Sequence, residues 1–132
     1  MEKLIENEYA TLVCYPKEKI VCHTFHQFIN GNAFREVMSK GADAFVQNRC
    51  TKWLSEDGDN PELKKEDVDW GEKFWEKRIL AAGWKYWALV MPENKIGQLT
   101  LRAIMQRYQD MGVTIQIFKN HNDALNWLEM QN

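Results

Sequence analysis

Three residues near the start of the chain have side chains that could bind a metal ion. Cys22, His23 and His26 lie close together, and thiolate and imidazole groups are common zinc ligands. On a β-strand, however, Cys22 and His23 point to opposite faces, and His26 lies beyond the strand. No second pair of ligands follows at a spacing typical of zinc sites. The pattern therefore favours structural roles for these residues and predicts no metal site.

An acidic stretch in the middle of the chain has the composition of a calcium-binding loop. Such a loop needs oxygen ligands at positions one, three and five and a glycine at position six. Counting from Asp57, position five is Pro61 and position six is Glu62. The pattern fails, so we expect a solvated acidic loop. Its acidic residues are Asp57, Asp59, Glu62, Glu66 and Asp67.

The residues needed for nucleophilic catalysis do not form a recognisable pattern. A nucleophilic serine or cysteine requires an oriented base beside it, and the sequence has no Gly-x-Ser-x-Gly motif. Its seven glycines are scattered, so it also lacks a glycine-rich phosphate loop. The three cysteines, Cys14, Cys22 and Cys50, are an odd number in predicted strands, which favours free thiols in a reducing compartment. We expect a protein that is not an enzyme and carries no cofactor.

The chain is rich in tryptophan, with six in 132 residues. Trp53, Trp75, Trp84 and Trp87 lie in segments predicted to be buried, where packing in the core is their usual role. They could instead line a pocket for an apolar ligand. A carrier of this kind would need a cavity of about 300 Å³ or more. Both roles stay open at this stage.

The hydrophobic periodicity predicts the elements that must position these residues. Its order, β-β-α-β-α-β-α-β-α, indicates an α/β fold in which a β-hairpin leads into successive right-handed βα units. The result is a mixed, mostly parallel five-stranded sheet packed with four helices, in a single domain of residues 1–132. We expect Asn32 to cap the first helix and Asn120 or Asn122 the last. The strands are predicted at 9–15, 20–25, 50–54, 84–90 and 113–118, the last near an edge, and the helices at 32–48, 66–82, 94–111 and 122–128.

Charge and hydropathy exclude two classes of partner. The formal net charge of −2 gives no electrostatic basis for binding nucleic acid. No stretch approaches the roughly 20 apolar residues that a membrane-spanning helix needs. The first residues, 1–6, are too few and too acidic to begin a signal peptide. We therefore expect a cytoplasmic protein that neither binds nucleic acid nor inserts into a membrane.

The predicted topology also indicates where a ligand or partner would bind. In open α/β sheets, ligands lie beyond the carboxyl ends of the strands. The polar residues predicted to lie in loops at that end are Asn30, Asn32, Ser55, Asp57, Glu93, Asn94 and His121.

Several short fragments resemble small stand-alone bacterial proteins of the STAS-like group, named after sulfate transporters and anti-sigma factor antagonists. The order of elements is also that of the STAS domain. The fragments are Lys52-Trp53-Leu54-Ser55, Asp69-Trp70, Ala82-Gly83-Trp84-Lys85, Val90-Met91-Pro92-Glu93 and Ala124-Leu125-Asn126-Trp127-Leu128.

The resemblance implies a function in binding. The antagonists bind a kinase partner and are switched by phosphorylation of a serine after the third strand, a place that Ser55 takes here. The antagonists have an Asp-Ser-Ser-Gly-like turn there, whereas Ser55 is followed by Glu56-Asp57-Gly58-Asp59, whose charges would repel a phosphate. The related CRAL-TRIO domains hold an apolar ligand. We expect a non-catalytic STAS-like binding or regulatory module for another protein or for itself as a homodimer. The alternative is a carrier of a small apolar or lipid-like ligand.

Overall fold

A six-stranded mixed sheet forms the centre of the molecule, whose computed structural model describes residues 1–58, 64–92 and 101–132. The strands lie side by side in chain order. The first three pair antiparallel, and the third to the sixth pair parallel. The strands are β1 (Glu2–Glu6), β2 (Ala10–Tyr15), β3 (Ile20–Phe25), β4 (Lys52–Glu56), β5 (Tyr86–Val90) and β6 (Thr114–Phe118).

Four helices in the described parts of the chain cover the two faces of this sheet. Helices α1, α2 and α3 contribute to the apolar cluster on one face, and α4 packs against the other. Helix α2 has three successive parts, of which the middle one is π-helical. The bounds are α1 (Gly31–Gln47), α2 (Lys65–Trp70, the π-helical Gly71–Glu76, and Lys77–Ala81), α3 (Leu101–Asp110) and α4 (His121–Glu129).

The structure confirms the α/β class, the β2–β3 hairpin, the mostly parallel sheet and, within the described residues, four helices. The first part of the predicted third helix, 94–100, lies outside the described residues. The predicted count of five strands was wrong. The additional strand is β1, at the start of the chain. It was missed because its sequence is Glu-Lys-Leu-Ile-Glu, in which only Leu4 and Ile5 are half-buried. The predicted cap at Asn32 is also wrong, because α1 begins at Gly31 and Asn30 occupies the cap position. Asn120 does cap α4, where its side chain accepts a hydrogen bond from the Asp123 amide.

Side chains along the central strands point alternately to the two faces of the sheet, and each face has its own apolar core. On β3, Val21 packs toward α1–α3, whereas Ile20 and Cys22 pack toward α4. The core facing α1–α3 is largely aromatic. At its centre Trp53 is fully buried and meets Trp75 edge to face, with ring centroids 5.0 Å apart.

The approach of α1 to the sheet depends on a glycine. The Trp53 indole lies directly over Gly41, where an added Cβ would overlap indole Cη2 and come within 3.2 Å of Cζ2 and 3.3 Å of Leu12 Cδ1. Both neighbours are fully buried, so neither can move aside cheaply. Gly41 therefore sets the spacing between α1 and β4.

The Gly41→Ala substitution is expected to lower the free energy of unfolding by about 1–2 kcal/mol. Overpacking in a core costs about 1–3 kcal/mol, and the better helix propensity of alanine recovers up to about 1 kcal/mol. The matched control is Gly71→Ala, also in a helix, where an added Cβ meets no atom within 4 Å. Urea unfolding of both proteins measures the difference. Wild-type stability in Gly41→Ala would show that the spacing is not set by this contact.

Candidate functional site

A pocket of about 230 Å³ lies between the carboxyl ends of the central strands and α2. Its floor comes from neighbouring parallel strands, because His23 on β3 pairs with Ser55 on β4 and both side chains line the space. Trp87 on β5 also lines it, and the π-helical part of α2 supplies Trp75 and Glu76. Strand register and one helix thus bring together residues far apart in sequence.

His23 is held by hydrogen bonds at both ring nitrogens. It is only 2% exposed. Its Nδ1 lies 3.0 Å from Trp53 Nε1, and its Nε2 lies 2.7 Å from Asp57 Oδ1. An indole N–H can only donate, so Nδ1 must accept and Nε2 carries the proton that is donated to Asp57. The Trp53–His23–Asp57 chain fixes both the tautomer and the ring orientation.

Ser55 completes a set of residue types found in hydrolases, but the geometry is not that of a catalytic triad. In a triad, one histidine nitrogen accepts the serine proton and the other donates to the carboxylate. Here Nδ1 of His23 is already occupied by Trp53. Ser55 Oγ instead accepts from Trp87 Nε1 at 2.9 Å. His23 in this arrangement cannot act as the base for Ser55.

A buried carboxylate faces the pocket from α2. Glu76 is 5% exposed. The Tyr108 hydroxyl donates to its Oε2 at 3.3 Å, and Arg107 Nη2 lies 3.5 Å from Oε1. Burial raises the pKa of Glu76 despite the opposing charge of Arg107. Burial and the nearby Glu76 together raise the pKa of Tyr108 to about 12. This side of the pocket therefore combines the buried carboxyl group of Glu76, whose charge Arg107 balances only in part, with the Tyr108 hydroxyl, which stays protonated.

Asp67 connects the start of α2 to the start of α1. Its carboxylate accepts from the Gly31 amide at 3.0 Å and from Arg35 Nε at 3.4 Å, and it is 2% exposed. Asn30, at the cap position of α1, makes no capping hydrogen bond with its side chain. Asp67 therefore takes the place of a capping side chain, where a negative charge is favourable.

A second polar cluster lies on the opposite face of the sheet, the side of α4. Glu56 Oε1 lies 3.0 Å from His121 Nδ1 and 3.4 Å from Thr24 Oγ1. The hydrogen bond between Glu56 and His121 lowers the pKa of Glu56 and raises the pKa of His121. The pair is partly exposed and ties β4 to the start of α4.

The candidate residues predicted from the sequence are not all brought together. Ser55 and Asp57 both line the pocket. His121 belongs to the cluster on the other face, Asn30 lies half-buried at the start of α1, and Asn32 is exposed there. None of these three lines the pocket. The predicted residues Glu93 and Asn94 lie outside the described part of the chain.

The sequence did not single out several residues that line the pocket. Tyr108 and Glu76 carried no motif, because they meet only through tertiary packing. Asp67 was expected in a solvated acidic loop, which is wrong, because it lies in α2 and is 2% exposed. The low exposure of Ser55, 2%, bears on the predicted phosphorylation, since a kinase could reach its hydroxyl only if the pocket opened.

Metal and thiol chemistry receive no support from the described residues. Within 1–58, 64–92 and 101–132, no group of three His, Cys, Asp or Glu side chains could hold a metal ion. Burial raises the pKa of the Cys14 and Cys22 thiols. It raises the pKa of the Cys50 thiol to about 12. Reactive cysteines, in contrast, have lowered pKa values. Of the described helices, none is long and apolar enough to cross a membrane.

No model of a known protein family, no curated protein and no solved structure matches this chain. The STAS-like resemblance thus stays a prediction, and the geometry of the pocket carries the functional argument.

We expect His23 to be the tautomer with its proton on Nε2. The reason is that Trp53 can only donate to Nδ1. Long-range ¹H–¹⁵N NMR spectra at pH 8 distinguish protonated from unprotonated ring nitrogens. Trp53→Phe serves as the comparison, since it removes the donor and should shift the Nδ1 signal. A proton on Nδ1 in the wild-type protein would rule out this arrangement.

The His121–Glu56 pair is expected to stabilise the fold by less than about 1 kcal/mol, as partly exposed pairs do. The raised pKa of His121 gives stability that is present below its unfolded value of 6.5 and lost as pH rises through the folded value. The lowered pKa of Glu56 gives stability that is present above its unfolded value of 4.5 and lost as pH falls through the folded value. The pair therefore contributes most between these unfolded values.

His121→Gln should accordingly cost more stability at pH 5.5 than at pH 8.5. Urea unfolding at both pH values measures this difference. His26→Gln is the matched control, because it makes the same change at a histidine that is paired with the uncharged Thr11 hydroxyl. An equal loss for His121→Gln at the two pH values would contradict the pairing.

Proposed function

We propose that this chain is a binding domain for a small molecule, and that the pocket between the sheet and α2 is its binding site. The observation that carries this proposal is the convergence of buried polar groups and aromatic rings on one pocket of about 230 Å³. The pocket lies at the carboxyl ends of parallel strands, where ligands bind in open α/β sheets. Its α2 wall is π-helical, a departure from α-helix that is frequent at functional sites.

The size of the pocket limits the ligand. A cavity of about 150 Å³ is known to accept benzene, whereas pockets for drug-sized molecules range from about 300 to 1,000 Å³. The volume of about 230 Å³ therefore suits a compact molecule of one or two rings. It is smaller than the cavity expected for a lipid carrier, so we favour a small ligand over a lipid.

The lining supports binding rather than catalysis. Trp75 and Trp87 offer aromatic surface, and the buried polar groups of Ser55 and Glu76 offer hydrogen bonds. Pockets that orient a ligand have this composition, mostly apolar with a few fixed polar groups. His23, whose two nitrogens are both engaged, positions the Asp57 carboxylate at the pocket and transfers no proton.

One observation favours the protein-binding function expected from the resemblance. Phe74 is 58% exposed and Val68 is 40% exposed, both on α2. Trp70, which contacts the Phe74 ring, extends this apolar surface. Exposed apolar surface is typical of interaction sites. A STAS-like regulatory module could use α2 in this way, and α2 would then connect ligand and partner.

Ligand binding can be tested with 2-phenylethanol, a neutral probe of suitable size. We expect it to shift the indole N–H signals of Trp75 and Trp87 in ¹H–¹⁵N NMR spectra, with assignments from Trp75→Phe and Trp87→Phe. Gly71→Leu should weaken binding by about tenfold or more, because Gly71 lines the pocket and excess methylenes in a binding pocket are costly.

Gly71→Ala is the control for this experiment, since its methyl group meets no atom within 4 Å and should leave most of the pocket open. Saturable shifts that are lost in Gly71→Leu but retained in Gly71→Ala would support the proposal. Shifts of equal size and affinity in the wild-type protein and both variants would show that the probe binds elsewhere and would contradict the proposal.

A further inference from the structure

We infer that the ligand of this pocket is a small organic cation, an amine or quaternary ammonium on a short apolar or aromatic body. The inference rests on the proposed function and specifies its ligand class. Its basis is the charge of the lining. The described residues around the pocket include four carboxylates and no lysine or arginine: Asp57, Asp67, Glu72 and Glu76.

The protein compensates these carboxylates only in part. Asp67 is paired with Arg35, and Arg107 lies 3.6 Å from Glu72 and 3.5 Å from Glu76. Asp57 has His23 as its partner, which donates a hydrogen bond as described above. Among the described residues, the four carboxylates thus outnumber the neighbouring guanidinium groups of Arg35 and Arg107 by two. This excess favours a cation in the pocket and opposes an anion, with the modest strength of half-exposed charges, because Asp57 and Glu72 are 48% and 49% exposed.

The aromatic residues that line the pocket stand at steep angles to one another. The Trp87 and Tyr108 rings meet at 76° with centroids 4.8 Å apart, and the Trp75 and Trp87 rings meet at 61° with centroids 6.5 Å apart. The face of an aromatic ring attracts a cation, tryptophan most strongly, and sets of such rings bind quaternary ammonium groups. Aromatic rings and carboxylates in one small pocket therefore point to the same ligand charge.

Trp75, a residue of the pocket wall, carries a buried donor that no described group accepts. Trp75 is 7% exposed, and its Nε1 is buried without a hydrogen-bond partner in the described structure. A buried N–H that lacks an acceptor is costly. Because the nitrogen itself is buried, a ligand in the pocket reaches this donor only after a rotation of the Trp75 side chain.

Three probes of nearly equal shape separate charge from size: phenethylammonium, 2-phenylethanol and phenylacetate. We expect phenethylammonium to bind about fivefold or more tightly than 2-phenylethanol, and phenylacetate to bind most weakly of the three. The dissociation constants come from titrating the Trp75 and Trp87 indole signals at pH 7. A neutral or anionic probe that binds as tightly as the cation would overturn the inference and leave the proposed function standing. Failure of all three probes to bind would overturn both.

Charge variants of the lining provide the second test. Glu72→Gln is expected to weaken phenethylammonium binding roughly two- to fivefold, as loss of a half-exposed charge partner does, and to leave 2-phenylethanol binding unchanged. Glu129→Gln is the matched control, because Glu129 is an exposed residue on α4 across the sheet. A loss of cation affinity confined to Glu72→Gln supports the inference. Equal affinities in all three proteins, or equal losses for both probes, would contradict it.

Discussion

The contact between Gly41 and the Trp53 indole is the constraint on which the site depends. Because Gly41 has no side chain, α1 can lie directly on the indole ring. In that position the Trp53 N–H reaches Nδ1 of His23, and Nε2 of His23 reaches Asp57. Helix–sheet packing in the core therefore determines which polar atoms the floor of the pocket presents. A change in the distance between α1 and β4 would therefore alter the proposed ligand site, although Gly41 does not line the pocket.

The π-helical part of α2 determines which side chains form the opposite wall of the pocket. It buries two consecutive residues, Trp75 and Glu76, while Phe74 is exposed. Burial of a carboxylate is costly unless it is paired and hydrogen-bonded, and the contacts of Glu76 with Arg107 and Tyr108 are long. Natural proteins depart from locally favourable choices mainly at functional sites. This wall is consistent with a site that is completed by a cationic ligand.

The sequence predicted the elements better than the site, for physical reasons. Period-two and period-3.6 patterns follow directly from which face of an element is buried, so five strands and four helices were recognisable. The exposed strand β1 carries too little apolar signal, and a period of 3.6 residues cannot reveal a π-helical turn. Ser55 and Asp57 were predicted because both were expected in the loop after a strand; Asp57 does follow β4, but Ser55 lies within it. The role of His23 was not, since its partners Trp53 and Asp57 come about thirty residues later and are specified only by the register of β3 with β4.

A crystal structure of the chain grown with phenethylammonium would test the central claim most directly. The account predicts the ammonium group near Asp57 and Glu72 and the phenyl ring within van der Waals contact of Trp75 and Trp87. A wider groove of about 630 Å³ between α2 and α3 shares Glu72 and Glu76 with the pocket and offers the probe an alternative position. A probe bound only in that groove, with the pocket holding water alone, would contradict the account.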